Sequence, residues 1–194
     1  YYRDIYNLLG TKTLSTYNST KFGLYSNKDY GNVRGIEIKA DSNYGNFSTF
    51  LNYTLQYTRG IADSPTQAFS REGQSLDPVN RLIPMSWDQR HTFNITFSYN
   101  EENFGISSTT YFNSGTTYTF EPLSGSQLAQ VNLLPNNDYK PFNYNIDLTG
   151  YYAFKIGSNQ LRATFSIYNL TDRLNQIWVN SKTGRAYTDI LTSS

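Results

Sequence analysis

From His91 to Asn100 the chain alternates without a break. His91, Phe93, Ile95, Phe97 and Tyr99 stand against Thr92, Asn94, Thr96, Ser98 and Asn100. Successive side chains on a strand point to opposite faces, so this stretch predicts a strand with one apolar and one polar face. Its length suits a strand that crosses a bilayer, roughly 9–11 residues. Trp87-Asp88-Gln89-Arg90, just before it, reads as a polar corner with an aromatic anchor.

The same unit repeats along the chain. Tyr1 to Leu9 predicts a strand, and the Thr/Ser-rich Gly10 to Ser19 predicts a loop. Thr20 to Tyr30 is ambiguous, with Asn27, Lys28 and Asp29 pointing to a loop. In Gly31 to Ser42, Ile36, Ile38 and Ala40 oppose Gly35, Glu37, Lys39 and Asp41. A turn at Asn43-Tyr44-Gly45 returns the chain through Asn46 to Thr58. There Phe47, Leu51, Tyr53, Leu55 and Tyr57 share a face, and only Phe50 breaks the pattern. After Asn100, Glu101 to Asn103 turns the chain into Phe104 to Ser114. The strongest alternation follows: Phe142, Tyr144, Ile146, Leu148, Gly150, Tyr152, Phe154 and Ile156 on one face. Gly157-Ser158 turns it into Leu161, Ala163, Phe165 and Ile167. Asn169 to Tyr187 reads as loop apart from Ile177-Trp178-Val179, and no segment has a trusted helical period.

Two stretches lack periodicity: Arg59 to Trp87 (with Gly60, Pro65, Gly73, Pro78 and Pro84) and Gly115 to Pro141 (with Pro122, Gly125 and Pro135). Structureless loops this long are uncommon and often functional. Short turns at one end and long loops at the other are the pattern of an outer-membrane barrel. The expected fold is therefore all-β: about eight strands of an antiparallel transmembrane β-barrel, with short periplasmic turns and long extracellular loops. A sandwich would have shorter strands and no such polarity of loop length.

Composition adjusts this picture modestly. The 194 residues are 16% aromatic and only 16% charged. Soluble domains carry roughly 25% charge. Mean hydropathy is nevertheless −0.58, because Asn, Ser, Thr and Gln fill the gap. Such a mix suits lipid on one face and water on the other, and it also suits a soluble carbohydrate-binding β domain. A net charge of +1 gives no case for nucleic acid. Cys 0 removes disulfides and thiolate metal sites. No apolar run reaches the roughly 18 residues of a membrane helix, so any crossing must be made by strands.

The residues that could carry chemistry each have a plainer reading. His91 and Asp88 are a possible catalytic pair, but a strand start separates their directions, and His91 reads as an interfacial residue. Glu101 and Glu102 read as a solvated corner. Asp63, Asp77 and Asp88 lack calcium-loop spacing. The polar rows Asn52, Thr54, Gln56 and Asn143, Asn145, Asp147 read as lumen wetting rather than a transport path. Tyr57, Tyr99, Tyr144 and Tyr152 could stack on a ligand, and aromatic girdles explain them equally well. N-x-S/T triplets at Asn18, Asn46, Asn52, Asn94 and Asn169 read as products of Asn and Thr abundance. No catalytic residue, metal site or cofactor is expected.

Six stretches, in order, resemble the C-terminal barrel of a TonB-dependent outer-membrane receptor. They are Tyr2-Arg3-Asp4-Ile5 with Leu8-Leu9-Gly10; Asp29 to Glu37, like "N-x-x-G-x-E"; and Asn52-Tyr53-Thr54 with Arg59-Gly60. Then come Trp87 to Asn94, like "W-D-Q-R-H-x-x-N"; Asn113 to Thr119, like "S-G-x-x-Y-T"; and Tyr168 to Asn175, like "x-N-L-x-D-x-x-N". The resemblance implies that residues 1–194 are the C-terminal part of a barrel of about 22 strands. The family's plug domain and TonB box are not in this sequence, and Leu191-Thr192-Ser193-Ser194 differs from its usual aromatic end. A fragment is therefore expected, with the final strand missing. Implied partners are outer-membrane lipid, the TonB complex through the missing plug, and a small nutrient (siderophore, cobalamin, glycan or peptide). Ligand contacts are expected from the loops Arg59 to Trp87 and Gly115 to Pro141. The alternatives are a self-contained eight-strand outer-membrane barrel with a structural or adhesive role, and the soluble carbohydrate-binding domain.

Overall fold

Strands that alternate in character can share a sheet only in a register that keeps like faces together. The structure, a computed structural model, describes residues 1–127 and 133–186 and meets that condition. The strands are β1 (Tyr2–Ser15), β2 (Lys21–Tyr44), β3 (Phe47–Gly60), β4 (Ile83–Pro84), β5 (His91–Asn100), β6 (Phe104–Asn113), β7 (Thr117–Tyr118), β8 (Asp138–Tyr139), β9 (Asn143–Ile156) and β10 (Asn159–Ile167). The sheet is antiparallel in the order β1-β2-β3-β5-β6-β9-β10, with β4 attached to the loop end of β3. β7 and β8 form a separate small ribbon. Among the described residues the main sheet is open, with β1 and β10 at its edges.

One face is mostly apolar, with Ser42, Thr49, Ser108 and Thr110 interrupting it. Ile38, Tyr53, Phe93, Phe112 and Tyr144 lie opposite one another strand by strand. Ala40, Leu51, Ile95, Thr110 and Ile146 form the next row. Tyr44, Phe47 and Tyr99 form another near the short turns. Gly150 lacks the side chain that would collide with the Phe165 ring across from it. The other face carries the row Asn52, Asn94, Tyr111, Asn145 and its neighbours. Threonine and serine hydroxyls bond across strands there, Thr96 to Thr109 at 3.3 Å and Ser98 to Ser107 at 2.9 Å.

Exposure is inverted relative to a water-soluble sheet. Ile36, Ile38, Phe97 and Phe165 are 59%, 51%, 47% and 49% exposed. Asn52, Thr54, Asn94 and Thr96 on the polar face are only half-buried. The buried apolar residues Val79, Ile83 and Met85 sit instead in the first long loop.

The connections divide by length except that the short 16–20 turn between β1 and β2 lies at the end with the long loops. Those at 45–46, 101–103 and 157–158 lie at one end, and Gly45 and Gly157 supply positive φ at two of them. The stretches 61–90 and 114–142 lie at the other.

The structure corrects the sequence reading in several places. Gly10 to Ser15 is strand, not loop, and Lys21 to Tyr30 is the first half of β2. Thr11 and Thr13 satisfy their backbones against Tyr25 and Gly23, and threonine favours strands. Register shifts at Ile5/Leu8 and Leu8/Leu9, with Asn7 at φ +58, break the alternation that would have revealed this. The first long stretch contains a helix, α1 (Gln67–Gly73), and strand β4. The strand predicted from His91 to Asn100 forms with those bounds. The Ile177–Val179 run forms no strand. The expectation about a missing final strand concerns residues outside the described ones.

Candidate functional site at the loop end

β3 is flanked by two strands that do not meet. β5 reaches it up to Leu55, and β4 pairs with Arg59 and Gly60. Between them the Thr58 N–H has no strand to meet. The Asp88 carboxylate fills the gap: Oδ1 accepts that N–H at 2.6 Å. Around it the Arg90 carbonyl accepts the Gln56 N–H at 2.9 Å, and the Thr58 carbonyl accepts the Met85 N–H at 3.0 Å. Asp88 is fully buried, and buried charge is tolerated when paired and hydrogen-bonded. Its Oδ2 accepts the Tyr139 hydroxyl at 2.9 Å and pairs with Arg90 Nε at 3.0 Å. The Arg90 guanidinium also donates to the Tyr139 hydroxyl and lies over the rings of Tyr57 (4.1 Å) and Tyr139 (5.4 Å). Burial raises the Tyr139 hydroxyl above its ordinary pKa, with Arg90 opposing and Asp88 adding.

A second tie joins the two long loops. Asp63 accepts the Ser86 N–H at 2.8 Å and Asn136 Nδ2 at 2.6 Å. Asn136 Nδ2 also donates to the Pro84 carbonyl at 3.0 Å. The Thr117 hydroxyl donates to the Met85 carbonyl at 2.6 Å. Asp77 closes a corner within the first loop, accepting the Val79 N–H at 2.9 Å and pairing with Arg81. The three aspartates thus act separately as loop ties. Among the described residues no group of three or more His, Cys, Asp or Glu is placed to hold a metal ion.

Beside these ties lies a cleft of about 370 Å³, within the range of small-ligand pockets. β1–β3 supply Ile5, Leu8, Leu9 and Val33 to one wall, and the first loop supplies Pro65, Met85 and Trp87 to the other. Its lining is mainly apolar. Arg59 and Asp63 are its charged members. Asp63 is engaged as above, and Arg59 Nε is buried with no hydrogen-bond partner among the described residues. The first candidate loop therefore contributes directly to a concave site. The second, 115–141, contributes no lining residue among the described residues and supports the first through Thr117, Asn136 and Tyr139.

The other candidates separate. His91 lies on the apolar face with Nδ1 2.9 Å from the Tyr53 hydroxyl, while Asp88 is engaged elsewhere. Glu101 accepts from the Tyr99 hydroxyl, and Glu102 is exposed. Tyr144 stacks on Phe142 with Arg173 above, and Tyr152 stacks on Phe154. Asn145 donates to Asp147 within its row. Asn18 lies between β1 and β2, Asn46 lies in a hairpin connection, and Asn52 and Asn94 sit in strands.

The motif residues acquire physical roles. Ser114 exchanges bonds with the His91 backbone at 2.9 Å in each direction. Gly115 leaves room for the Lys140 carbonyl, which a Cβ would overlap. The Asn175 amide imitates a strand peptide at the edge of β9, accepting the Tyr144 N–H at 3.1 Å and donating to its carbonyl at 2.9 Å. Asn169 does the same for Arg173 at 3.1 Å. Comparison of the chain with family models, curated proteins and solved structures found no match.

Proposed function

We propose that this chain is a transmembrane portion of an outer-membrane barrel that captures a small nutrient at its loop end, within a receptor of the TonB-dependent type. The observation that carries the reading is the pair of aromatic rows on the exposed face, bracketing a band of Ala40, Leu51, Ile95, Ile146, Phe97 and Leu148 that is interrupted by Ser42, Thr49, Ser108 and Thr110. Tyr53, Phe93, Phe112 and Tyr144 form one row; Tyr44, Phe47 and Tyr99 form the other. Phe93 to Tyr99 covers roughly 20 Å of strand. β5 as a whole, ten residues, covers roughly 34 Å, or about 26 Å of height at a typical barrel tilt. The whole strand matches the roughly 25 Å height of a barrel's apolar band, while the span between the two aromatic rows is about 15 Å at the same tilt.

Energy supports lipid on this face. Fully burying one large apolar side chain is worth about 1.5–3 kcal/mol. About a dozen half-exposed ones on this face would forgo on the order of 10–15 kcal/mol in water, comparable to the whole stability of a domain. Capture at the loop end is supported by the cleft and by the two loops tied above it. Energy from TonB and a plug rest on the resemblance of the six stretches alone.

The test is the intact mass of the polypeptide in its native membrane. A mass several times 22.2 kDa in the outer-membrane fraction, with a plug encoded upstream, supports the receptor. A membrane-bound chain near 22.2 kDa would replace it with a small self-contained barrel, and recovery in the soluble fraction would end the membrane reading.

A further inference from the structure

On the exposed face of β2 and β3 the first charges beyond the apolar band are arginines. The β2–β3 register runs without a shift from Tyr44/Phe47 to Gly31/Gly60, so Arg34 and Arg59 share the face of Ile38 and Tyr53. From Tyr44 to Ile36 on β2, and from Phe47 to Tyr57 on β3, that face carries no charged residue. The stretch of β2 from Tyr44 to Arg34 covers roughly 34 Å of strand, or about 26 Å of height at a typical tilt. An apolar band about 25 Å tall that begins at Tyr44 therefore ends at the Arg34 row. Charge on a lipid-facing strand costs little at that boundary and much within the band.

Arg34 and Arg59 are diagonal neighbours, roughly 7–8 Å apart at the backbone. Tyr57 stands between them: it lies opposite Arg34, whose guanidinium is 5.5 Å from the ring centroid, and it is next but one to Arg59. Tyr2 flanks Arg34 on β1 and is exposed. Asp4, the nearest carboxylate in the register, accepts from the Tyr30 hydroxyl and, at 2.7 Å, from the Asn32 amide. Among the described residues neither arginine has a carboxylate within ion-pair distance. Toward the other edge of the sheet Arg173 lies over the rings of Phe142 and Tyr144, 4.8 Å from each centroid. The turn at 101–103, at the opposite end, carries Glu101 and Glu102 instead. Guanidinium groups hold phosphate through paired N–H donors, and tyrosine rings favour the headgroup level.

We propose that Arg34 and Arg59, with Tyr2 and Tyr57 beside them, dock the phosphate of an anionic lipid headgroup in the leaflet at the loop end. The occupant is a membrane lipid because the two arginines stand on the lipid-facing surface at the edge of the apolar band. The inference names a partner for the barrel proposed above and rests on that reading.

The experiment places the full protein in nanodiscs of equimolar phosphatidylcholine and phosphatidic acid and counts the lipids it retains by native mass spectrometry. Phosphatidic acid is expected to be retained over phosphatidylcholine by roughly tenfold. Arg34→Gln and Arg59→Gln should each reduce that preference, and the double variant should abolish it while phosphatidylcholine is still retained. Lys39→Gln removes the same charge from the opposite face and should leave the preference unchanged. Excess inorganic phosphate should leave the retained phosphatidic acid in place. The inference is overturned if the inserted protein retains both lipids alike, if the double variant keeps the preference, if Lys39→Gln lowers it as much as Arg34→Gln does, or if inorganic phosphate displaces the lipid. Protein that does not enter the nanodisc would end the membrane reading and this inference with it; insertion without a preference would remove this inference alone.

Discussion

Replacing Asp88 with alanine should be among the most damaging single changes in the loop end. Three groups lose their partner at once: the Thr58 N–H, the Tyr139 hydroxyl and the Arg90 guanidinium. Orphaning the N–H alone costs about 1–3 kcal/mol. Breaking a buried ion pair by removing one partner costs about 3–5 kcal/mol. The Arg90 side chain keeps 18% exposure, so water recovers part of its loss, and these overlapping costs give about 3–4 kcal/mol in all. Asp88→Asn keeps an oxygen for Thr58 and should cost less, about 2 kcal/mol. The assay is reversible urea unfolding of the protein in lipid vesicles, followed by tryptophan fluorescence. Arg90→Met should be less harmful in the Asp88→Ala background than in the native one, with a coupling of about 2 kcal/mol. A loss under about 1 kcal/mol for Asp88→Ala, or a coupling near zero, would refute the idea that this carboxylate replaces a missing strand.

Other outcomes follow from the same geometry. Gly115→Ala forces a methyl into the Lys140 carbonyl and should cost about 1–3 kcal/mol, read in the same urea assay; a neutral result would mean that the two limbs of the second loop separate freely. Asn175→Ala removes both bonds to the Tyr144 backbone and should speed hydrogen exchange at the Tyr144 amide, leaving Phe93 unchanged; equal protection in both proteins would contradict the amide's role as a strand surrogate. The Tyr118 hydroxyl is pushed up to about 12 by burial and then by Asp138. Its folded value exceeds its unfolded one, so the stabilisation is complete below pH 10 and is lost as pH rises toward 12. Tyr118→Phe should flatten that alkaline slope in unfolding curves taken from pH 9 to 12.

Alternation was legible wherever a strand has two different environments. Phe93/Thr92 and Ile146/Asp147 register the boundary between the two faces, and β3, β5, β6, β9 and β10 were all readable for that reason. The upper halves of β1 and β2 carry no such contrast. Thr11 and Thr13 face α1, whose Glu72 accepts the Thr13 hydroxyl at 2.6 Å, so the Thr/Ser run imitates a loop. α1 is too short to display a period. The roles of Asp63 and Asp88 were hidden because their partners, Asn136, Thr58 and Tyr139, are remote in sequence. The "W-D-Q-R-H" stretch was recognised as a pattern, but its physical reason, a gap between β4 and β5 closed by a carboxylate, needs the register of three strands.

The account turns on which face of the sheet meets lipid, and one pair of neighbouring residues tests it. The chain has Cys 0, so Thr96→Cys and Phe97→Cys each introduce a single thiol at adjacent positions of β5. In intact outer membranes a charged, water-soluble thiol reagent should label Thr96→Cys and leave Phe97→Cys unmodified until urea unfolds the protein. Equal labelling of both, or faster labelling at Phe97→Cys, would place the apolar face in water and contradict a membrane-spanning sheet.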